Sequence, residues 1–174
     1  MVCLVGGTIA LRFYVLRFCG VESRAINKYL ACKHENAGPD LLRRGSLAES
    51  AMVELWLEVE SKHFDPAIAP LVYEMVVKPV LGGATDATTV EAQSEKLGKV
   101  LDVYEERLRE SKYLAGDGYT LADLHHQPYL FYLMQTPKAE LVTSRPHVLA
   151  WWNDVSARPA WRKTAEGMKF PTSN

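Results

Sequence analysis

Glu22 and Ser23 open a segment, Glu22 to Lys33, that reads as a helix, and the first turn of a helix presents backbone amides without partners. A hydroxyl beside such amides suits a carboxylate, and the Glu22 side chain can pair with a neighbouring ammonium. Ordinary capping accounts for the same pair, with Glu22 at the positive end of the dipole and Ser23 as N-cap. One helix end can do both. Tyr73 and Val77, four residues apart, face one way, an arrangement that serves a pocket wall or a packed core. His125-His126 resembles a metal pair, yet adjacent helical residues point about 100° apart. No His-Glu-x-x-His pattern or nearby cysteine completes a ligand set, so no metal is expected. His34 and His63 have no assignable role.

The elements that must hold these groups are mainly helical. Ala25, Ile26, Tyr29 and Leu30 form an apolar stripe on the Glu22–Lys33 helix. Residues 34–39 are turn chemistry and make the best linker. Ser46 and Glu49 have the form of a capping box for a helix with Met52, Leu55, Trp56 and Val59 on one face, ending near His63. Asp65-Pro66 restarts the chain as N-cap and N1, and Pro79 with Gly82-Gly83 stops that helix. Thr88 to Glu91 opens a helix carrying Leu97, Val100, Leu101, Tyr104 and Leu108. Tyr119-Thr120-Leu121-Ala122-Asp123-Leu124 reads as a complete start signal. Thr120 and Asp123 can cap each other while Tyr119 and Leu124 form a hydrophobic staple. Ser144-Arg145-Pro146 begins a helix through Trp151 and Trp152, read as one core and one partly exposed ring, and Arg158-Pro159 begins the last.

Composition narrows the class. The 174 residues are 48% hydrophobic and 24% charged, enough for a soluble core, and the net charge of -1 offers no general attraction to nucleic acid or anionic lipid. Residues 1–20 are apolar, but Arg12 and Arg17 interrupt them and no A-x-A cleavage site follows, which argues against a signal peptide. Alternation of Ile9, Leu11, Phe13 and Val15 with Ala10, Arg12 and Tyr14 suits one strand over Thr8–Phe18. No stretch is long enough to span a bilayer, and the three cysteines read as free thiols, so a cytoplasmic location is expected.

Several runs in order carry a resemblance: Glu22-Ser23-Arg24-Ala25-Ile26-Asn27-Lys28-Tyr29, Trp56-Leu57-Glu58-Val59-Glu60, and His63-Phe64-Asp65-Pro66. Val100-Leu101-Asp102-Val103-Tyr104-Glu105 and Tyr113-Leu114-Ala115-Gly116 leading into Thr120–Leu124 continue it. From Glu22 to about Met168 the chain resembles a plant phi-class glutathione transferase. The resemblance implies a mostly α fold: an all-helical C-terminal bundle preceded by a remnant of a thioredoxin-like domain. Residues 1–34 would be that remnant, 35–45 the linker and 46–170 the bundle. Residues 1–21 are too few for a βαβ unit, which takes about 30 or more. The family's proline before its hairpin also has no counterpart, the first proline being Pro39. Residues 1–20 match nothing in the family, so a further reading takes them as lying outside the true coding sequence.

The implied chemistry is conjugation of glutathione, a co-substrate and not a cofactor, to electrophilic hydrophobic molecules, in detoxification and stress response. Glu22 and Ser23 would hold its γ-glutamyl end, Tyr73 and Val77 would line the acceptor pocket, and Arg24 reads as an ion-pair or dimer contact. A homodimer is expected. Conjugation needs the thiolate, and lowering a thiol pKa by about two units takes about 2.7 kcal/mol. One charge-assisted hydrogen bond of about 1.5–3 kcal/mol provides most of that. Phi-class proteins use a serine for it, but no serine occurs before Ser23. Thr8 is the one comparable hydroxyl and lacks the family's flanking residues, so the catalytic residue is unassigned and activity is expected to be impaired. The alternative is a non-catalytic helical module that binds hydrophobic ligands or a partner subunit.

Overall fold

The computed structural model describes residues 22–168 in full and, before them, only the backbone of four short strands. Val2–Val5 (β1) pairs antiparallel with Thr8–Leu11 (β2), and Phe13–Val15 (β3) with Phe18–Gly20 (β4). The single strand expected over Thr8–Phe18 is therefore divided. Each piece pairs with its nearest neighbour in the chain, which closes the shortest loop. The Thr8 side chain lies outside the described residues, as do Arg12, Arg17 and the bundle's expected end at residue 170.

Helix α1 spans Ser23–Lys33. Of its predicted stripe only Ile26 is buried, while Ala25 and Tyr29 are exposed. Helix α2 (Leu47–Val59) does begin at Ser46, whose hydroxyl accepts the Glu49 amide at 3.4 Å. Its buried line is Val53, Trp56 and then Glu60, at i, i+3 and i+7, so Leu55 falls at the edge and is 52% exposed, against expectation.

The break expected near His63 does not occur. A π turn, Glu60–Phe64, joins α2 to α3 (Asp65–Val72), and a second, Tyr73–Val77, joins α3 to α4 (Lys78–Val80). In each turn the residue before a proline bonds five residues back, Asp65 N to Glu60 O and Lys78 N to Tyr73 O. The wider ring relieves the clash that a proline makes with the carbonyl four residues earlier. Pro66 and Pro79 are thus carried by a continuous helical run that ends at Leu81 and Gly82, whose φ of 80° needs no side chain.

Helix α5 (Ala87–Glu110) starts at Asp86, two residues before the expected Thr88. The Asp86 carboxylate accepts the Thr88 amide at 2.9 Å and the Thr89 hydroxyl at 2.7 Å. Short helices α6 (Leu121–Leu124), α7 (Gln127–Leu133) and α8 (Glu140–Thr143) lead to α9 (Pro146–Ser156) and α10 (Pro159–Glu166). Phe64, Ile68 and Leu71 meet Leu97, Leu101 and Tyr104 in the core, and α9 closes it with Val148 and Trp151. Trp152 is 7% exposed, so both tryptophans are core residues, contrary to the split reading. Every large apolar side chain buried there contributes about 1.5–3 kcal/mol.

Candidate functional site

Among the described residues, no side chain caps the first turn of α1. Glu22 occupies the N-cap with extended backbone (φ -88°, ψ 112°), and its side chain makes no capping bond. Ser23 is the first helical residue and not the N-cap, so the capping reading of its hydroxyl is corrected. Both side chains are exposed. An extended residue directs its carbonyl into the helix, where Ile26 N meets Glu22 O at 2.9 Å, and leaves the following amides facing outward.

Arg24 fixes this turn to the bundle. Its Nε and Nη2 donate to Glu60 Oε2 and Oε1 at 2.8 and 2.9 Å, and Nη2 lies 3.3 Å from Asp65 Oδ1. Two parallel bonds between a planar guanidinium and a carboxylate define orientation as well as distance. Glu60 is 1% exposed. Burial pushes its carboxyl above the ordinary range, against the pull of Arg24, while the Glu60 bond raises Arg24 in turn. Lys28 adds a second tie, 2.5 Å from Glu54 on α2.

Behind Glu60 lies His125, its Nδ1 3.9 Å from Glu60 Oε2 and its side chain 5% exposed. Both ring nitrogens are buried without a hydrogen-bond partner among the described residues. Burial, then the charge of Arg24, pushes this imidazole down to about 4. Glu60 and His125 were not picked out as site residues from the sequence. The available signal was spacing, because Glu60 stands four residues after Trp56 and His125 four after Leu121, both on buried faces. Among the described residues, no three His, Cys, Asp or Glu side chains converge on a common point.

The remaining candidates lie apart. Tyr73 and Val77 bound the second π turn, where Tyr73 is 48% exposed and Val77 half-buried. Asp123 accepts the Thr120 amide at 2.9 Å and its hydroxyl at 3.2 Å, forming the capping box of α6. Tyr119 donates to Gln127 Oε1 at 2.7 Å, and Arg158 lies 3.8 Å over its ring. Leu124 faces a different space, a cleft of about 330 Å³ between α1, residues 37–41 and α6, with Leu30, Ala31, Leu41 and Leu121. Residues 35–45 are tied down rather than loose. Asp40 accepts the Arg43 amide at 2.7 Å, and the Leu121 amide donates to Leu41 O at 3.0 Å.

An all-helical bundle behind a helix that opens with Glu-Ser-Arg defines a class, and comparison with known proteins identifies it. The profile of the glutathione S-transferase C-terminal domain matches residues 60–159. Glutathione S-transferase F13 of Arabidopsis thaliana is 52% identical over 154 residues, covering 88% of this chain and 70% of that protein. The crystal structure of glutathione transferase F7 from Populus trichocarpa superposes with a TM-score of 0.88 at 53% identity, covering 90% of this chain and 74% of that one. Glutathione S-transferase I from maize, solved with an atrazine glutathione conjugate, gives 0.83 at 43% identity, over 95% and 75%. The chain belongs to the glutathione S-transferase family.

Proposed function

We propose that this chain is a phi-class member that binds the γ-glutamyl end of glutathione at the start of α1. In this reading Glu22 pairs with the ammonium, and the Ser23 hydroxyl and first-turn amides receive the carboxylate. Its reaction is conjugation of glutathione to electrophilic hydrophobic molecules, with Tyr73 and Val77 on the acceptor side, in a cytoplasmic homodimer serving detoxification. The observation that carries the reading is the first turn, uncapped among the described residues and held in place by the Arg24–Glu60 pair within a chain of this family. Because residues 1–21 contain no serine, thiol activation by the 174-residue chain alone is weak. The missing bond corresponds to about a hundredfold in thiolate population.

Titration calorimetry with glutathione tests binding. Heat is expected for the native chain, with affinity lowered about tenfold in Glu22→Gln, the loss of one charge-assisted bond. A chlorodinitrobenzene-type acceptor tests chemistry, where turnover comparable to a serine-containing relative defeats the weak-activation reading. The apolar cleft beside Leu124 favours a second reading, a non-catalytic module for hydrophobic ligands. Dye binding in that cleft without any heat from glutathione would establish it.

A further inference from the structure

Glu60 sits between two groups that can take its place or its proton. On one side Arg24, 39% exposed, already lies 3.3 Å from Asp65, a carboxylate 30% exposed at the start of α3. On the other, His125 offers two ring nitrogens that bond to nothing described. The groups facing this corner are Arg24 from α1, Asp65 from α3, Tyr104 from α5, His125 and His126 from the end of α6, and Tyr129 from α7. His126 is already engaged, Nε2 with the Tyr104 hydroxyl at 2.8 Å and Nδ1 with Ala122 O at 2.6 Å. A carbonyl only accepts, so Nδ1 carries the proton and Nε2 accepts from Tyr104. That leaves His125 as the free acceptor among the described residues.

With Glu60 and Asp65 ionised, the trio of Arg24 and its two carboxylates carries one negative charge more than it balances. We propose that these groups form a proton-operated latch. One proton taken from solvent by Glu60 moves Arg24 from Glu60 to Asp65, and the neutral Glu60 carboxyl turns to donate to His125. No covalent bond changes apart from the new O–H, and the trio becomes neutral. Helix α1 then exchanges a buried two-bond anchor for a partly exposed one, and its opening turn loosens from the bundle. Burial supports this order, raising Glu60 while holding His125 neutral and able to accept.

Amide hydrogen exchange on the full chain tests the latch, with α1 protection measured relative to α5 after correction for intrinsic rates. As pH is lowered from about 8 through the raised range of the Glu60 carboxyl, that ratio falls about tenfold in a single step, the loss of a charge-assisted pair. Glu60→Gln, a fixed mimic of the protonated form, shows the low ratio throughout and no step. His125→Phe removes the acceptor and Asp65→Asn removes the second seat, and each moves the step to lower pH. A pH-independent ratio in the native chain overturns the proposal, as does a step that survives in Glu60→Gln. Should Glu60→Gln fail to fold, an unmoved step in Asp65→Asn overturns it equally. The expectation that glutathione affinity falls with the same step rests on the function proposed above. A chain that shows the step but binds no glutathione at either pH refutes that function and leaves the latch standing.

Discussion

Trp151 donates its indole Nε1 to Asp123 Oδ1 at 2.9 Å, across 28 residues of chain. The same carboxylate accepts the Leu114 amide at 3.1 Å and the Thr120 amide at 2.9 Å, and it is fully buried. One side chain therefore caps α6, closes the loop before it and anchors α9. Burial raises the Asp123 carboxyl while these donors pull it down. Asp123→Ala leaves four buried donors, the Thr120 hydroxyl among them, without this acceptor and is expected to cost about 3–5 kcal/mol. Asp123→Asn, which keeps one acceptor oxygen, costs about half as much. Urea unfolding measures both, and a loss below about 1 kcal/mol in the alanine variant refutes this organising role.

The π turn ending at Phe64 is matched to Pro66. In a regular helix the proline ring would strike the carbonyl of Lys62 at a cost of about 3 kcal/mol. The bond from Asp65 N to Glu60 O opens that turn. Pro66→Ala is therefore expected to change stability by less than about 1 kcal/mol, because no clash is relieved. A gain near 3 kcal/mol would mean that the ring is strained after all.

Much of the helical frame was legible because its signals are local. Leu97, Leu101, Tyr104 and Leu108 repeat at helical spacing in α5, and all four are buried. The misreadings involve tertiary terms. Adjacent residues such as Trp151 and Trp152 read as one inward and one outward ring until α9 is closed in by its neighbours, which bury both. Pro66 and Pro79 read as breaks because a proline, taken alone, ends a helix, and only the π turns reconcile them with continuity. Arg24 was legible as an ion-pair residue, but its partner lies 36 positions away, beyond the reach of any spacing rule.

Acid sensitivity follows from the two neutral histidines. Burial pushes His126 down to about 3 and His125 to about 4, below the ordinary 6.5 of the unfolded chain. The unfolded state then binds more protons between those values, so this stability is present above about pH 6.5 and is lost as pH falls. Each histidine accounts for about 2 kcal/mol between about pH 7 and about pH 5. Glu60, raised by burial, acts in the opposite sense, since its stabilising effect is present at low pH and is lost as pH rises through its folded value. Unfolding free energies at the two pH values should differ by about 2–4 kcal/mol, and by about half that in His126→Gln. Equal stability at both would show that these rings are not held neutral.

Helix α9 owes its start to a residue of another helix. Arg145 at its N-cap makes no side-chain cap, and Pro146 has no amide to offer. Glu105 of α5 supplies the acceptor, taking the Val148 amide at 3.0 Å, the His147 amide at 3.0 Å and His147 Nδ1 at 2.6 Å. Partial burial pushes this carboxyl up, but the Val148 amide and the His147 ring outweigh it, and the group is lowered overall. A lowered carboxyl stabilises the fold above its unfolded value, and the contribution is lost as pH falls through the folded one. Glu105→Gln, which keeps an acceptor oxygen, is expected to cost about 1 kcal/mol, and Glu105→Ala about 2 kcal/mol. Because Trp151 and Trp152 lie on α9, near-UV circular dichroism should show the alanine variant loosening there at a lower temperature than the far-UV signal of the whole chain. Coincident melting by both probes, with an unchanged midpoint, would assign the start of α9 to packing alone.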